Sequence, residues 1–247
     1  MIAYVIGYIS LVVVPLLCIW YVSKMLGSVS QFWSILKRAA IVAPLALWVA
    51  FKLCNLTQFV GLHPNEVTDF LSAAEVAFWA AGLPEEMAKL VIVGLLLWWN
   101  YRKGMSIDTK TIIICVCMVG AFFAMYENLF NSYPHAGKFL SRHWSFVGHF
   151  CYCVIMGYGC SLFLNKRSRR TLYVQAFICC LLLPMTMHAC FDFCVFALRI
   201  STGLQGKAIF LFGDIATMTA NIWIALRCIK QMRYDDRKIN HSRSIDV

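Results

Sequence analysis

Residues 111–132 read TIIICVCMVGAFFAMYENLFNS, an apolar run whose one charged residue is Glu127. An α-helix rises about 1.5 Å per residue, so about 20 mainly apolar residues cross the roughly 30 Å hydrocarbon core of a bilayer. The run meets both requirements, length and apolar character. It therefore predicts a helix that spans a membrane.

Six further stretches qualify in the same way, and the composition agrees with them. The chain is 61% hydrophobic and only 14% charged, with a mean hydropathy of +0.70, which excludes an ordinary soluble domain. Lipid offers backbone polar groups no partners, and the stretches lack the alternation of barrel strands. We predict an all-α, polytopic membrane helical bundle of about seven transmembrane helices, forming one domain over residues 1–228. The six stretches are residues 2–23, 39–61, 84–101, 144–164, 171–197 and 208–228.

The net charge of +10 lies in short basic runs between the apolar stretches, which argues against nucleic acid as a partner. With the N-terminus outside, most Lys and Arg residues fall on the inner side, as the positive-inside rule requires. We predict an N-out, C-in protein of a bacterial inner or plasma membrane, with a charged cytoplasmic tail at residues 229–247. The outer side keeps Lys138, Arg142, Arg199 and Lys207; the inner side collects Lys24, Lys37, Arg38, Arg102, Lys103, Lys110, Lys166, Arg167, Arg169, Arg170, Arg227, Lys230, Arg233, Arg237, Lys238 and Arg243.

The segment from Asn65 to Leu83 mixes acidic and apolar residues and ends at Gly82-Leu83-Pro84, where we expect a break. Joined to the next stretch it would make about 35 residues, too many to cross the bilayer upright. We predict an outer interfacial or re-entrant helix, which is either a substrate gate or a plain connector.

The twelve cysteines lie nearly all within apolar stretches, and no Cys-x-x-Cys pair occurs. We therefore predict that these cysteines are small buried hydrophobic residues rather than disulfide partners or zinc ligands.

Polar groups interrupt four of the apolar stretches. An ionisable side chain in hydrocarbon costs roughly 2.5 to 3.5 kcal/mol, so several of them need partners or a function. Counted at about 1.5 Å per residue from the predicted membrane faces, all four groups reach the outer third of the bilayer. We predict that they form one site. The groups are Pro84-Glu85-Glu86-Met87-Ala88-Lys89, Phe123-Ala124-Met125-Tyr126-Glu127-Asn128, His149 and His188-Ala189-Cys190-Phe191-Asp192.

Spacing within the helices supports this prediction. Residues four apart share a helix face, and this spacing joins Glu85 to Lys89, Phe123 to Glu127, and His188 to Asp192. A histidine beside a carboxylate suits an oriented imidazole or a metal ligand. Lys89 would lower the cost of burying one of the two glutamates.

Each group also has a structural interpretation. Acids after Pro84 are ordinary at a helix start, and His149 could be a packed, hydrogen-bonded residue. Glu127 could reach the interface, and His188 with Asp192 could tie helices together. The convergence of all four groups on one layer favours a functional site.

Two hydrolytic mechanisms suit these residue types. In one, a buried glutamate takes a proton from water while a histidine stabilises the oxyanion. In the other, Glu and His side chains bind zinc or another divalent metal that acidifies a bound water. The Gly-x-Ser-x-Gly motif of a serine nucleophile is absent.

The ordered motifs resemble those of the PrsW family of intramembrane proteases, related to the CAAX-prenyl-protease-like superfamily. Glu85-Glu86-x-x-Lys89, Phe123-x-x-x-Glu127-Asn128, His149 and His188-x-x-x-Asp192 match it in order and spacing. The resemblance covers about residues 66–197, and the many cysteines are not part of the family pattern. It implies cleavage of a membrane-anchored protein substrate near its extracytoplasmic side.

We accordingly expect three groups of site residues, which are catalytic residues, supporting residues and, if the enzyme uses a metal, metal ligands. Rival interpretations are a non-catalytic membrane scaffold that keeps the fold and a small ion transporter. The inner halves of the spans carry few ionisable groups, which argues against the transporter. The expected catalytic residues are Glu85, Glu86, His149, His188 and Asp192; the supporting residues are Lys89, Phe123, Glu127 and Asn128; and the metal ligands are Glu86, Glu127, His149 and His188.

Overall fold

The computed structural model describes residues 2–26, 32–59, 61–63, 66–105, 107–132, 139–164 and 170–245. Within these ranges the chain is helical and contains no strand, which confirms the predicted helical membrane bundle. Asn65, at the start of the predicted interfacial segment, lies outside the described residues, as do Lys138, Lys166, Arg167 and Arg169.

The described elements are nine α-helical stretches and two π-helical segments. They run in the order α1 Ile2–Leu26, α2 Phe32–Gln58, α3 Phe70–Glu75, first π segment Val76–Gly82, α4 Leu83–Arg102, α5 Thr109–Ser132, α6 Phe139–Leu164, α7 Arg170–Phe177, second π segment Ile178–Leu182, α8 Leu183–Ile200 and α9 Leu204–Ile245.

Six of these helical stretches are long and apolar enough to cross a membrane. The seventh predicted span corresponds to α4, a 20-residue helix whose N-terminal part carries Glu85, Glu86 and Lys89. Helix α9 continues to Ile245, so the described part of the predicted tail is a helical extension of the last span. The six spans are Val5–Leu26, Phe32–Gln58, Thr109–Phe130, Arg142–Phe163, Tyr173–Ile200 and Leu204–Met232.

The break expected at Gly82-Leu83-Pro84 does not occur, and that prediction was wrong. Residues 70–102 form one continuous helical run, in which Gly82 has helical dihedrals of φ −55° and ψ −52°. Proline lacks an N–H, and its ring clashes with the carbonyl four residues earlier in an α-helix. The π segment relieves this conflict with wider hydrogen bonds, since the N–H of Leu83 bonds the carbonyl of Phe78, five residues earlier.

The start of this run is set by a capping box. The Asp69 carboxylate accepts a hydrogen bond from the Ser72 backbone N–H at 2.8 Å, and the Ser72 hydroxyl oxygen accepts from the Asp69 N–H at 3.1 Å. Two backbone donors that the helix leaves unpaired are thereby satisfied. The run therefore begins at Phe70, thirteen residues before the first residue of α4.

Helix α5 forms the centre of the bundle and packs against α6, α2 and α1. At Gly120 a Cβ atom would lie 2.0 Å from Cys153 Sγ, so glycine permits the close approach of α5 and α6. All twelve cysteines are free thiols, and Cys190 alone among them is exposed. Seven of the twelve are buried, as predicted for small core residues, and four are half-buried.

Candidate active site

Lys89 joins two of the predicted polar groups. Its fully buried Nζ donates to Glu86 Oε1 at 2.7 Å and to His149 Nδ1 at 2.8 Å. Glu85 Oε2 is farther, at 3.8 Å, so the closer partner of Lys89 is Glu86. The ammonium also lies 4.3 Å from the centre of the Phe123 ring, a cation–π contact. Lys89 thus ties α4 to α6 and compensates the buried Glu86 charge.

The contacts of His149 assign its proton. An ammonium group has donors only, so Nδ1 of His149 accepts from Lys89 and the ring proton is on Nε2. Nε2 lies 2.9 Å from Glu127 Oε2, within ion-pair distance. Arg142 Nη1 lies 3.6 Å from the other oxygen of Glu127. Glu127 therefore orients the His149 ring, as a carboxylate commonly does.

His188 is held from its own helix and from α4. Its Nδ1 lies 2.9 Å from Glu86 Oε1, and an ionised carboxylate can only accept, so Nδ1 donates. Its Nε2 lies 3.4 Å from Asp192 Oδ2 and 3.9 Å from Glu85 Oε2. Glu86 therefore fixes the ring, and Nε2 faces the remaining carboxylates.

Glu85 is the more accessible of the two adjacent glutamates, with 21% of its side chain exposed against 0% for Glu86, and Asp192 is exposed to a similar degree at 19%. Its Oε2 is buried and finds no hydrogen-bond partner among the described residues. The same oxygen lies 4.0 Å from His149 Nδ1 and 3.9 Å from His188 Nε2. An unpaired buried oxygen is costly, so a further polar ligand would be stabilised here, as it would be at Glu86 Oε2, which is buried and unpaired in the same way.

The residues fit a divalent metal, although Glu85 takes the place of two expected ligands, Glu86 and Glu127. Within the described chain, Glu85, His149 and His188 each offer a donor atom, and these atoms all lie within 4.8 Å of one another. Carboxylate and imidazole are common zinc ligands, and Glu85 Oε2 has no competing hydrogen bond. Glu86 and Glu127, which the sequence also proposed as ligands, instead contact Lys89, His188 and His149.

Two residues that the motifs did not indicate complete the site. The Tyr152 ring stacks on His188, with centroids 5.1 Å apart and planes 21° apart, and it is 6.0 Å from the His149 ring. Its hydroxyl accepts from Asn221 Nδ2 at 3.4 Å. Tyr152 lies three residues after His149, so helical spacing from that histidine could have found it. Nothing in the sequence pairs Asn221 with it.

Asn128 is the one predicted residue that lies apart from the cluster. Its Nδ2 donates to the backbone oxygen of Arg142 at 3.0 Å, which links α5 to α6. The other predicted residues are brought together as expected, with Phe123 contacting both Lys89 and His149.

The approach of α8 to the α4 run creates this arrangement. A Cβ at Gly82 would lie 2.9 Å from Met185 O and 3.2 Å from Ala189 N. The absence of a side chain at Gly82 therefore lets the first π segment rest on the α8 backbone. The carboxylates after Pro84 consequently reach His188.

The family comparison covers this whole cluster. A model of the PrsW family intramembrane metalloproteases matches residues 30–220, while no curated protein and no solved structure matches the chain. The apolar helices and this match establish an integral multi-pass membrane protein with a peptidase domain. With its match over most of the sequence and its Glu/His/His group in the bundle, the chain belongs to the PrsW family of intramembrane metalloproteases.

Proposed function

We propose that the protein hydrolyses a peptide bond in a membrane-anchored protein near the extracytoplasmic side of a bacterial inner or plasma membrane. The observation that carries the proposal is the position of Glu85 Oε2, a buried oxygen on a partly exposed side chain, which lies within 4.0 Å of both histidines. A carboxylate, two imidazoles and an ammonium around one point are the groups that peptide hydrolysis requires.

Glu85 is suited to take the proton from the attacking water. It is the more exposed of the two adjacent glutamates, and its Oε2 faces His188 Nε2. Glu86 has a different role, since its Oε1 holds both Lys89 and His188 Nδ1 within 2.9 Å. Of the two adjacent carboxylates, Glu85 therefore transfers the proton and Glu86 positions Lys89 and His188.

The cationic and imidazole groups stabilise charge that develops on the substrate carbonyl oxygen. Lys89 Nζ is 3.8 Å from Glu85 Oε2, so its field covers the place where the water would be activated. Preorganised donors of this kind are typically the largest contribution to hydrolysis in an enclosed site. Asp192 and Glu86 contact the two nitrogens of His188 and keep its ring in place.

A divalent metal would be held by Glu85, His149 and His188. When bound, such an ion acidifies water and polarises a carbonyl. Glu127 and Glu86 would orient the two histidine ligands through the contacts already described. His149 Nδ1 accepts from Lys89, so its use as a ligand atom would displace that hydrogen bond.

The test is cleavage of single-span reporter proteins by purified full-length protein, with and without a chelator. We expect Glu85→Gln and His188→Ala to abolish cleavage while the variants still insert and fold. Glu75→Gln is the matched control, because Glu75 is an exposed acid on the same helical run. Its cleavage should equal that of the wild type.

The outcomes separate the mechanisms. Loss of cleavage in the variants and with chelator supports the metal-dependent form, and loss in the variants alone supports glutamate-activated water. Full activity in both Glu85→Gln and His188→Ala would refute the assignment of the site.

A further inference from the structure

A second feature of the bundle is a large groove outside the polar site. It lies between α4, α6, α7 and the second π segment and has a volume of about 610 Å³. Nearly all of its surface is apolar. Its wall includes Leu90, Val93, Gly94, Trp98, Phe163 and Phe177.

The length of the groove matches one leaflet of a bilayer. Along α4 its wall runs from Leu90, next to Lys89, to Tyr101, near the helix end. These eleven residue steps correspond to roughly 16 Å of helix, against about 15 Å for half of the hydrocarbon core. A transmembrane helix of a substrate would continue through both leaflets, whereas the acyl chain of a lipid would end with the groove.

The mouth of the groove is basic. Arg102 and Lys103 are exposed at the end of α4, immediately after Tyr101. The Arg102 guanidinium lies 6.0 Å from the ring centre of Trp98, which itself lines the groove. Basic residues beside an apolar groove at a membrane surface suit the phosphate of a lipid headgroup.

We propose that this groove binds one acyl chain of an anionic phospholipid, whose phosphate pairs with Arg102 and Lys103. The proposal concerns a lipid site separate from the peptidase cluster and does not depend on the catalytic roles given above. The proposed lipid site has two parts, which are the apolar volume beside Gly94 and the positive charge at the mouth of the groove. Each can be altered without touching Glu85, Glu86 or the histidines.

The volume is tested by Gly94→Leu. A Cβ at Gly94 meets no atom within 4 Å, so the longer side chain enters the groove without a backbone clash. Native mass spectrometry of the full chain with dioleoyl phosphatidylglycerol should show at least fivefold less bound lipid than wild type. Val91→Phe is the matched control, because Val91 is an exposed residue of α4 that does not line the groove. It should bind the lipid as wild type does.

The charge is tested by Arg102→Gln. Wild type should prefer phosphatidylglycerol to phosphatidylcholine of the same chains, and the variant should lose that preference. Arg227→Gln is the control, because Arg227 stacks on Trp223 at 5.1 Å in a similar way but lies on α9, away from the groove. Since Arg102 is exposed, this arm remains informative even if Gly94→Leu fails to fold.

Equal binding of both lipids by wild type, or an unchanged preference in Arg102→Gln, would overturn the proposal. So would Gly94→Leu if it kept its bound lipid but raised KM for a single-span reporter, since the groove would then receive the substrate helix. Lipid binding is measured without proteolysis, so its failure is distinguishable from failure of the proposed peptidase function.

Discussion

The two π segments have the same local cause and very different surroundings. Each precedes a Leu-Pro pair, Leu83-Pro84 or Leu183-Pro184, and in each the leucine N–H bonds a carbonyl five residues earlier. The first segment packs on α8 and buries four small or branched residues, whereas the second buries none and borders the apolar groove. The buried residues of the first are Val76, Ala77, Ala80 and Gly82.

The difference shows that a proline can determine the local helix geometry without determining what the π segment does in the fold. In both places the proline conflicts with a carbonyl four residues back, which belongs to Ala80 or Cys180 inside the π segment. Packing then decides the consequence. The first segment packs against α8 and positions the carboxylates, while the second packs against α6 and borders the apolar groove.

Among the changes that compare the two segments, the largest effect is expected from Glu86→Gln, the second residue after Pro84. Loss of its charge weakens the contacts to Lys89 and His188, so cleavage should fall by about 10² to 10⁴-fold, the usual range for a general acid–base system. Reporter cleavage at matched folded protein measures it. Thr186→Val is the equivalent change after Pro184, and its exposed hydroxyl bonds only Leu182 O at 2.8 Å. Equal losses in both variants would contradict the difference between the segments.

Gly82→Ala should have the next largest effect. The added Cβ would lie 2.9 Å from Met185 O, so α8 must move, at a cost of about 1 to 3 kcal/mol of unfolding free energy. A displacement of about 1 Å at the site can cost about 10²-fold in rate. Thermal unfolding and reporter cleavage should therefore both be impaired.

Gly159→Ala tests the second segment in the same way. Its Cβ would lie 2.4 Å from Cys180 N, so stability should fall as well. The second segment carries no site residue, and we expect a smaller loss of cleavage per folded molecule than for Gly82→Ala. Equal loss would mean that both segments position the site.

A smaller loss of cleavage is expected from Tyr152→Phe, which tests the contacts that hold the His188 ring of α8 in place. Lys89 supports the α4 carboxylates within their own helix, but the His188 ring rests on Tyr152 of α6, whose hydroxyl accepts from Asn221 of α9. Loss of one such hydrogen bond, worth about 1 kcal/mol, should lower kcat about fivefold with KM unchanged. Asn221→Leu should have the same effect, and the double variant should add nothing. Additive losses would contradict a shared role.

The smallest effect is expected from Cys160→Ser combined with Cys180→Ser. These sulfurs lie 3.6 Å apart, between α6 and the second π segment. Because neither contacts the site, cleavage should stay within about twofold of wild type. Copper phenanthroline should oxidise this pair to a disulfide in wild type, as peptide mass spectrometry would show. Failure to cross-link would contradict the packing of the second segment on α6.

Much of the site could be predicted because membrane burial restricts ionisable groups so strongly. Glu85, Lys89, His149 and His188 interrupt apolar stretches, and their clustering is confirmed by the distances in the structure. The choice between Glu85 and Glu86 could not be predicted, because adjacent residues point in different directions on a helix. Their separate roles depend on the rotation of α4 relative to α8.

The break expected at Gly82-Leu83-Pro84 failed for a related reason. Glycine and proline weaken an isolated α-helix, but Gly82 is held against the α8 backbone and the π hydrogen bonds accommodate Pro84. Tertiary packing thus changed a predicted helix break into a wide helical turn. Asn221 was missed because its polar partner lies 69 residues earlier in the chain.

The sequence by itself determined that the chain lies in a lipid bilayer and that it is helical. It also determined the family and the residue types of the site. These follow from local properties, since hydrocarbon accepts only apolar helices and tolerates charge only where it is compensated. The tertiary structure alone decided which glutamate pairs with Lys89, which atoms of the histidines form contacts, and where the apolar groove lies. These depend on helix rotation and close approach, which are set by contacts between distant residues such as Gly82 and Met185.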